Sequence, residues 1–210
     1  MKITKFDHSC FLLEKDGRGL LFDPVEFTHK LPSITNLDAI IITHIHGDHF
    51  QPEVLNKLRQ DNPQAKIFTT EDNEALKDVA TIALGGDKTA VGVFGLEFYG
   101  ENHAEIIPGE FLCKNIGTLV DGVFANSGDS FDLPPKMPAI IAAPVAAPWL
   151  RLSETMGFLK ESGVKIVIPA HDALNSDFGN TVCDNWISKV CTENGAKYKK
   201  IHFGEVMEVE

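Results

Sequence analysis

The side chains most able to do chemistry stand together in Thr43-His44-Ile45-His46-Gly47-Asp48-His49, at the exit of the apolar run at residues 38–43. Histidine and aspartate bind divalent transition metals through nitrogen and oxygen, and three histidines and one aspartate fall within six residues here. In extended backbone His44 and His46, two positions apart, send their imidazoles to the same side. On a helix the pair would diverge by about 200°, so this is not the helical HExxH type of zinc site. Gly47 permits a sharp turn that returns Asp48 and His49 toward the same point. Four donors leaving one strand can thus reach two metal ions from a single loop. A lone histidine is more often a satisfied core or surface imidazole; this density at a strand end reads as a metal site.

The elements that must position this loop follow from hydrophobic periodicity. Strands are expected at residues 2–6, 10–15 and 19–24, the last two joined by a turn through Asp16-Gly17-Arg18-Gly19, and again at 38–43 and 65–70. The spacing of Val54, Leu55 and Leu58 after Pro52 predicts a helix to about Gln60. Residues 71–80, with acids in the first turn, read as a second helix. Strand patterns return at 91–100, 110–116 and 117–126. The last third alternates, with strands at 138–142, 164–168 and 198–203 and helices at 153–162 and 177–192. Residues 11–23 and 111–129 are alike, each a hairpin ending in aspartate. Hairpins opening each half and alternating units closing it imply an α/β sandwich, with mixed sheets inside and helices outside.

Composition sets the frame. The chain has 210 residues, a length for one domain, and no linker or low-complexity run divides residues 1–210. Hydrophobic residues make up 43% and charged residues 23%, which excludes a disordered chain. The 30 acidic against 19 basic residues, a net charge of −11, argue against binding nucleic acid by neutralising phosphates. The longest apolar stretch, residues 139–150, is interrupted by Pro144 and Pro148 and falls short of the ~20 residues a membrane helix needs. No membrane partner is expected. Charged residues occupy the first ten positions where an export signal would be apolar, so a cytoplasmic protein is expected. Cys10, Cys113, Cys183 and Cys191 form no CxxC pair and read as reduced thiols.

The THIHGDH segment also resembles the hallmark motif of the metallo-β-lactamase superfamily of dinuclear hydrolases. The resemblance implies a four-layer αββα sandwich and further ligands, and the chain offers a residue at each position. His103, in Glu101-Asn102-His103-Ala104, matches the family's third histidine. Asp129, in Asn126-Ser127-Gly128-Asp129-Ser130, matches its bridging aspartate, and His171, after the strand at 164–168, its last histidine. The implied sites are His44, His46 and His103 for one metal and Asp48, His49 and His171 for the other, with Asp129 between them. The likeness runs from Asp7-His8-Ser9 and Phe22-Asp23-Pro24 to Pro169-Ala170-His171. It is greatest to the compact metal-dependent hydrolase branch that includes ascorbate-6-phosphate lactonase-like proteins. Asp7 departs from that branch, which usually carries glycine there.

Two divalent cations, zinc first, with manganese, iron or nickel also admitted by this donor set, would lower the pKa of a shared water and polarise the scissile group. Asp48 would ligate, orient that nucleophile and accept its proton. The expected reaction is hydrolysis of an ester, lactone or phosphodiester bond in a small molecule carrying a compact anionic group. The oligomeric state is open.

Other readings of the fold compete. A mononuclear iron-dependent thiol or persulfide dioxygenase needs no complete second site, and a non-catalytic metal-binding module needs no intact ligand set. A carboxylate usually stands at the position of His46 in the diiron flavoproteins. RNA-processing members carry basic surfaces or extra domains, and glyoxalase II-like enzymes a helical C-terminal domain. His8 could stand at the rim as a proton donor, although a supporting hydrogen bond or a packed imidazole is the favoured reading. His29 and His202 read as surface, and Asp23 and Asp172 as groups that orient ligands or cap turns. Phe27, Phe50, Trp149 and Arg151 are loop residues that could line a pocket or simply anchor their loops.

Overall fold

Short β-branched and aromatic runs form fourteen strands in a computed structural model that describes residues 1–209. They are β1 (Lys2–Lys5), β2 (Phe11–Lys15), β3 (Arg18–Phe22), β4 (Leu37–Ile41), β5 (Lys66–Thr69), β6 (Thr81–Ile82) and β7 (Lys88–Val91). The series continues with β8 (Phe94–Tyr99), β9 (Gly117–Val120), β10 (Phe124–Asn126), β11 (Ile140–Pro144), β12 (Ile166–Ala170), β13 (Lys197–Tyr198) and β14 (Val206–Glu208). Three helices accompany them: α1 (Pro52–Asp61), α2 (Leu152–Ser162) and α3 (Asp177–Glu193).

The strands form two sheets, β14-β1-β2-β3-β4-β5-β6 and β13-β12-β11-β10-β9-β8-β7. From β14 across to β6, three antiparallel pairings are followed by three parallel ones, and the order from β7 across to β13 is the same. The two halves are therefore related, with the last strand returning to complete the first sheet. The likeness between residues 11–23 and 111–129 lies at this relation. Hairpin β2–β3 turns at Asp16-Gly17 and hairpin β9–β10 at Asp121-Gly122, all four residues at positive φ.

Alternation within each strand builds the layers. Leu20, Phe22, Ala39 and Ile41 face Phe94, Leu96, Phe124 and Ile140 across the space between the sheets. Their neighbours Leu21, Ile40 and Ile42 point the other way and meet Leu55 and Leu58 of α1. On the outer face of the second sheet, Leu119, Ile141 and Val167 pack on Phe158 and Leu159 of α2 and Ile187 of α3. Each such fully buried side chain stabilises the fold by about 1.5–3 kcal/mol relative to exposure. The result is the expected αββα sandwich with two mixed sheets.

Three expected elements differ. Residues 71–80 form only a 3-10 turn at Glu74–Leu76. Thr70 bonds Asp72 and Asn73 bonds Thr69 through their side chains, and Leu76 alone of that turn is buried, so no apolar face holds a longer helix. Residues 110–116 contribute one bridge, Asn102 to Lys114, made by His103 N–H to the Cys113 carbonyl and Asn115 N–H to the Glu101 carbonyl; residues 110–112 are exposed, so no buried face extends it. The final strand is not at 198–203. The chain leaves the second sheet after β13 and crosses to the first, where Gly204 N–H donates to Lys5 and β14 pairs with β1. All four cysteines are free, and no helix of the described residues is long and apolar enough to cross a membrane.

Candidate metal centre

The sheet topology decides where the site must be. Strands β1, β3 and β4 run the same way in the first sheet, and β8, β10, β11 and β12 share a direction in the second. Their C-terminal ends release His8, Asp23, the loop 43–49, His103, Asp129 and His171 at one edge of the sandwich. Three of these residues, His8, Asp23 and His171, take left-handed backbone with φ of 60°, 41° and 62°. Strain of about 1–3 kcal/mol apiece, gathered at one spot, is the mark of a functional constraint.

All seven residues expected from the sequence meet there. His44, His46 and His103 form one group, their ring centroids 4.6 to 4.9 Å apart. Asp48, His49 and His171 form a second, joined by His8, with one donor atom from each within 4.8 Å of the others. Asp129 stands between the groups. Its Oδ1 lies 3.1 Å from His49 Nε2, and its Oδ2 lies 3.0, 3.4 and 3.9 Å from the Nε2 atoms of His171, His103 and His44.

Four of the five rings, those of His44, His49, His103 and His171, are aimed from behind. Asp23, fully buried, accepts from the Thr43 amide at 2.8 Å and the Thr43 hydroxyl at 2.9 Å, and holds His49 Nδ1 at 2.8 Å. The backbone carbonyls of Ala104 and Ala146 take the Nδ1 side of His103 and His171. The Trp149 indole N–H donates to Asp129 Oδ2 at 2.9 Å, and Asn115 Oδ1 accepts from the Asp129 amide at 2.9 Å. With their Nδ1 atoms backed, the Nε2 atoms of His44, His49, His103 and His171 are buried and make no hydrogen bond. An unsatisfied buried polar atom costs about 1–3 kcal/mol. Converging lone pairs around a central carboxylate are what a divalent cation requires, and the donor set fits one in each group.

In the metal-free site the charge states follow from burial and from the neighbouring groups, and His49 and His171 must lose a proton to act as donors. Burial and the neighbouring imidazoles keep His44 well below the usual histidine range, so it is a neutral donor. Burial alone would raise the Asp129 and Asp48 carboxyls, yet the surrounding imidazoles hold both well below the carboxylate range and ionised. Burial opposes protonation of His49, but Asp129 and Asp23 overcome it and push that ring well above its ordinary value. His171 rises to about 9, against its burial, through Asp129 and Asp48.

Asp129 depends on the glycine before it. Gly128 has φ +60°, and a Cβ there would stand 2.2 Å from Asn115 Oδ1 and 2.9 Å from Thr43 Cβ. Gly128→Ala is expected to cost about 3 kcal/mol, the sum of left-handed strain and overpacking. That corresponds to a melting temperature lower by roughly 6–12 °C for a chain of this size. A thermal melt within 2 °C of wild type would contradict it.

Several secondary expectations are settled by position. Asp23 orients a ligand imidazole as expected, whereas Asp172 pairs with the buried Lys5 at 2.8 Å. Trp149 reaches the site, but Phe50 is buried under α1 and Arg151 caps α2 in solvent. His29 and His202 are surface residues. Asp7, the departure from the family pattern, accepts from the Thr28 and His29 amides at 2.9 Å each and so ties down the loop carrying Phe27. His8 is fully buried, in line with the favoured reading of a packed imidazole and not with a rim position, and the structure adds that it stands beside Asp48. A single histidine before a strand carries no spacing signal that could have shown this.

Comparison with known proteins agrees with this architecture. A family model described as "Beta-lactamase superfamily domain" matches residues 2–121. Protein Rv0786c of Mycobacterium tuberculosis is 33% identical over 180 residues, covering 83% of this chain and 85% of its own. The UPF0173 metal-dependent hydrolase SSO0099 of Saccharolobus solfataricus is 36% identical over 74 residues, 32% of each chain. Igni18, a metallo hydrolase from Ignicoccus hospitalis, superposes with a TM-score of 0.73 at 22% identity, covering 100% of this chain and 99% of its own. With the family match spanning more than half of the sequence and the full αββα layering in place, the chain belongs to the metallo-β-lactamase superfamily of metal-dependent hydrolases.

Proposed function

We propose that the chain holds two divalent cations and hydrolyses an ester, lactone or phosphodiester bond in a small anionic molecule. The observation that carries this reading is Asp129, one carboxylate set within 3.9 Å of four imidazole Nε2 atoms drawn from both histidine groups. His44, His46 and His103 would hold one cation, and Asp48, His49 and His171 the other. When bound, such a pair supplies a water acidified toward neutrality and a Lewis acid for the scissile oxygen.

The chain's own residues do the rest. Asp129 is nearly buried and Asp48 is partly open, with side-chain exposures of 3% and 28%. Asp48 is therefore the carboxylate that can orient the nucleophile and take its proton from the open side. Trp149 fixes Asp129 and walls off solvent behind it. Zinc suits the histidine-rich set, and manganese, iron or nickel fit its two carboxylates. The free cysteines fit a reducing compartment, so the proposed setting is the cytoplasm.

Elemental analysis of untagged protein purified without chelator tests the reading directly. About two metals per chain are expected, with turnover on simple esters, lactones or phosphodiesters that is lost on chelation and restored by metal. One iron per chain with oxygen uptake would replace hydrolysis by oxidation chemistry.

A further inference from the structure

His8 is a buried imidazole at this edge that the seven-residue site does not use. Its imidazole is fully buried, and neither Nδ1 nor Nε2 makes a hydrogen bond. Its backbone is held in place at some strain. The φ is 60°, the Phe6 amide donates to the Cys10 carbonyl at 2.9 Å, and the His171 amide donates to the His8 carbonyl at 3.3 Å. Phe27 covers the ring at a centroid distance of 5.1 Å, and Asp7 next to it is occupied with the loop at residues 28–29. What remains before the ring is Asp48, His49 and His171.

The distances there are those of fellow ligands and not of hydrogen-bond partners. His8 Nε2 lies 3.4 Å from Asp48 Oδ2, and His171 Nε2 lies 3.4 Å from the same oxygen. A charged N–H···O bond would close to about 2.7–2.9 Å. Two donors on one cation at bond lengths of about 2.0–2.1 Å sit about 3.3–3.4 Å apart in tetrahedral geometry. His8 and His171 are thus placed alike toward Asp48, and their rings lie 3.8 Å apart.

We infer that His8 is a direct ligand of the second cation, an additional nitrogen donor beside Asp48, His49 and His171. This rests on the two-cation reading above. It explains why a strained, fully buried imidazole with two unsatisfied nitrogens is kept at this point: coordination satisfies Nε2 and offsets the strain of the turn.

The test uses Co²⁺ as the probe, titrated calorimetrically into chelator-stripped wild type, His8→Ala and His8→Asn. Asparagine tolerates left-handed backbone and can still donate a hydrogen bond to Asp48. Far-ultraviolet circular dichroism of each metal-free protein controls for folding. Loss of a supporting partner weakens metal binding about 10–100-fold, so loss of a ligand is expected to exceed about 100-fold. The expected result is a second Co²⁺ weakened beyond that bound in both variants, with the first retained. In the two-cobalt wild type, hyperfine-shifted proton spectra are expected to show six ligand imidazole N–H signals, one of which His8→Asn removes. The wild-type spectrum decides even where a variant fails to fold.

Second-site affinity restored by His8→Asn, or unchanged in His8→Ala, would overturn the assignment and leave the two-cation reading standing. Five ligand imidazole signals in two-cobalt wild type would do the same. Wild type that binds a single Co²⁺ would overturn both.

Discussion

Asp129→Ala is expected to lose one equivalent of bound metal and to lower turnover by roughly 10³-fold or more. The carboxylate lies 3.0 to 3.9 Å from four imidazole nitrogens, so its removal would take from both groups the ligand they are proposed to share. Loss of a partner behind a ligand costs about 10–100-fold in affinity or activity. Loss of the proposed bridging ligand itself would also forfeit the acidified water that a bound cation would supply, whose pKa falls from 15.7 to about 7 in a well-built site. The metal-free variant is expected to be less stable as well, because His49 keeps only Asp23 and Trp149 loses the acceptor of its indole N–H. Metal content and the kcat/KM of the same preparation check the prediction. An unchanged rate, or a lower rate with two metals still bound, would sink the bridging role.

Metal affinity is expected to climb steeply with pH, at least about 100-fold between pH 6.5 and 8.5, since each displaced proton contributes a factor of ten per unit below its pKa. The sign follows from the metal-free site. His171, raised to about 9 chiefly against its burial by Asp129 and Asp48, carries a proton at neutral pH that a cation must displace. His49, raised by Asp129 and Asp23 against its own burial, carries another. His44 is already neutral and releases none. Between one and two protons should therefore leave as the second group fills, and the rise should flatten as pH passes about 9. The metal-free fold shows the linked effect. The raised His171 contributes stability that is fully present below its ordinary pKa of about 6.5 and is lost as pH rises through about 9. Calorimetry in buffers of different ionisation heat counts the protons. A flat affinity with no proton release would mean that these imidazoles are neutral without metal, contrary to a cradle of two ionised aspartates.

Legibility in the sequence depended on how local each feature was. The loop 43–49 could be read directly because its four donors fall within six residues just after a buried strand, although β4 ends at Ile41 and His44 to His49 lie in the loop and turn beyond it instead of in extended strand. The alternation of residues 38–43, which sends Ile41 between the sheets and Ile40 and Ile42 under α1, required only period-two geometry. The helix expected at residues 71–80 failed because side-chain bonds at Thr70 and Asn73 compete with the helix, and composition does not weigh that competition. The strand expected at 198–203 failed because the chain there changes sheets, a decision made by pairing with β1 some 200 residues away.

The site divides along the same line. By itself the sequence determined that a metal-binding loop follows a buried strand. It also offered His103, Asp129 and His171 at positions that a family pattern, and no local rule, could single out. Only the tertiary structure decided that the ends of β1, β3, β4, β8, β10 and β12 share one edge, and that Asp129 lies between two groups of imidazoles. It likewise decided that His8 faces Asp48 from inside the protein. Convergence of side chains far apart in sequence is a property of sheet direction and register, and those are set by long-range pairing and burial that no short window of residues contains.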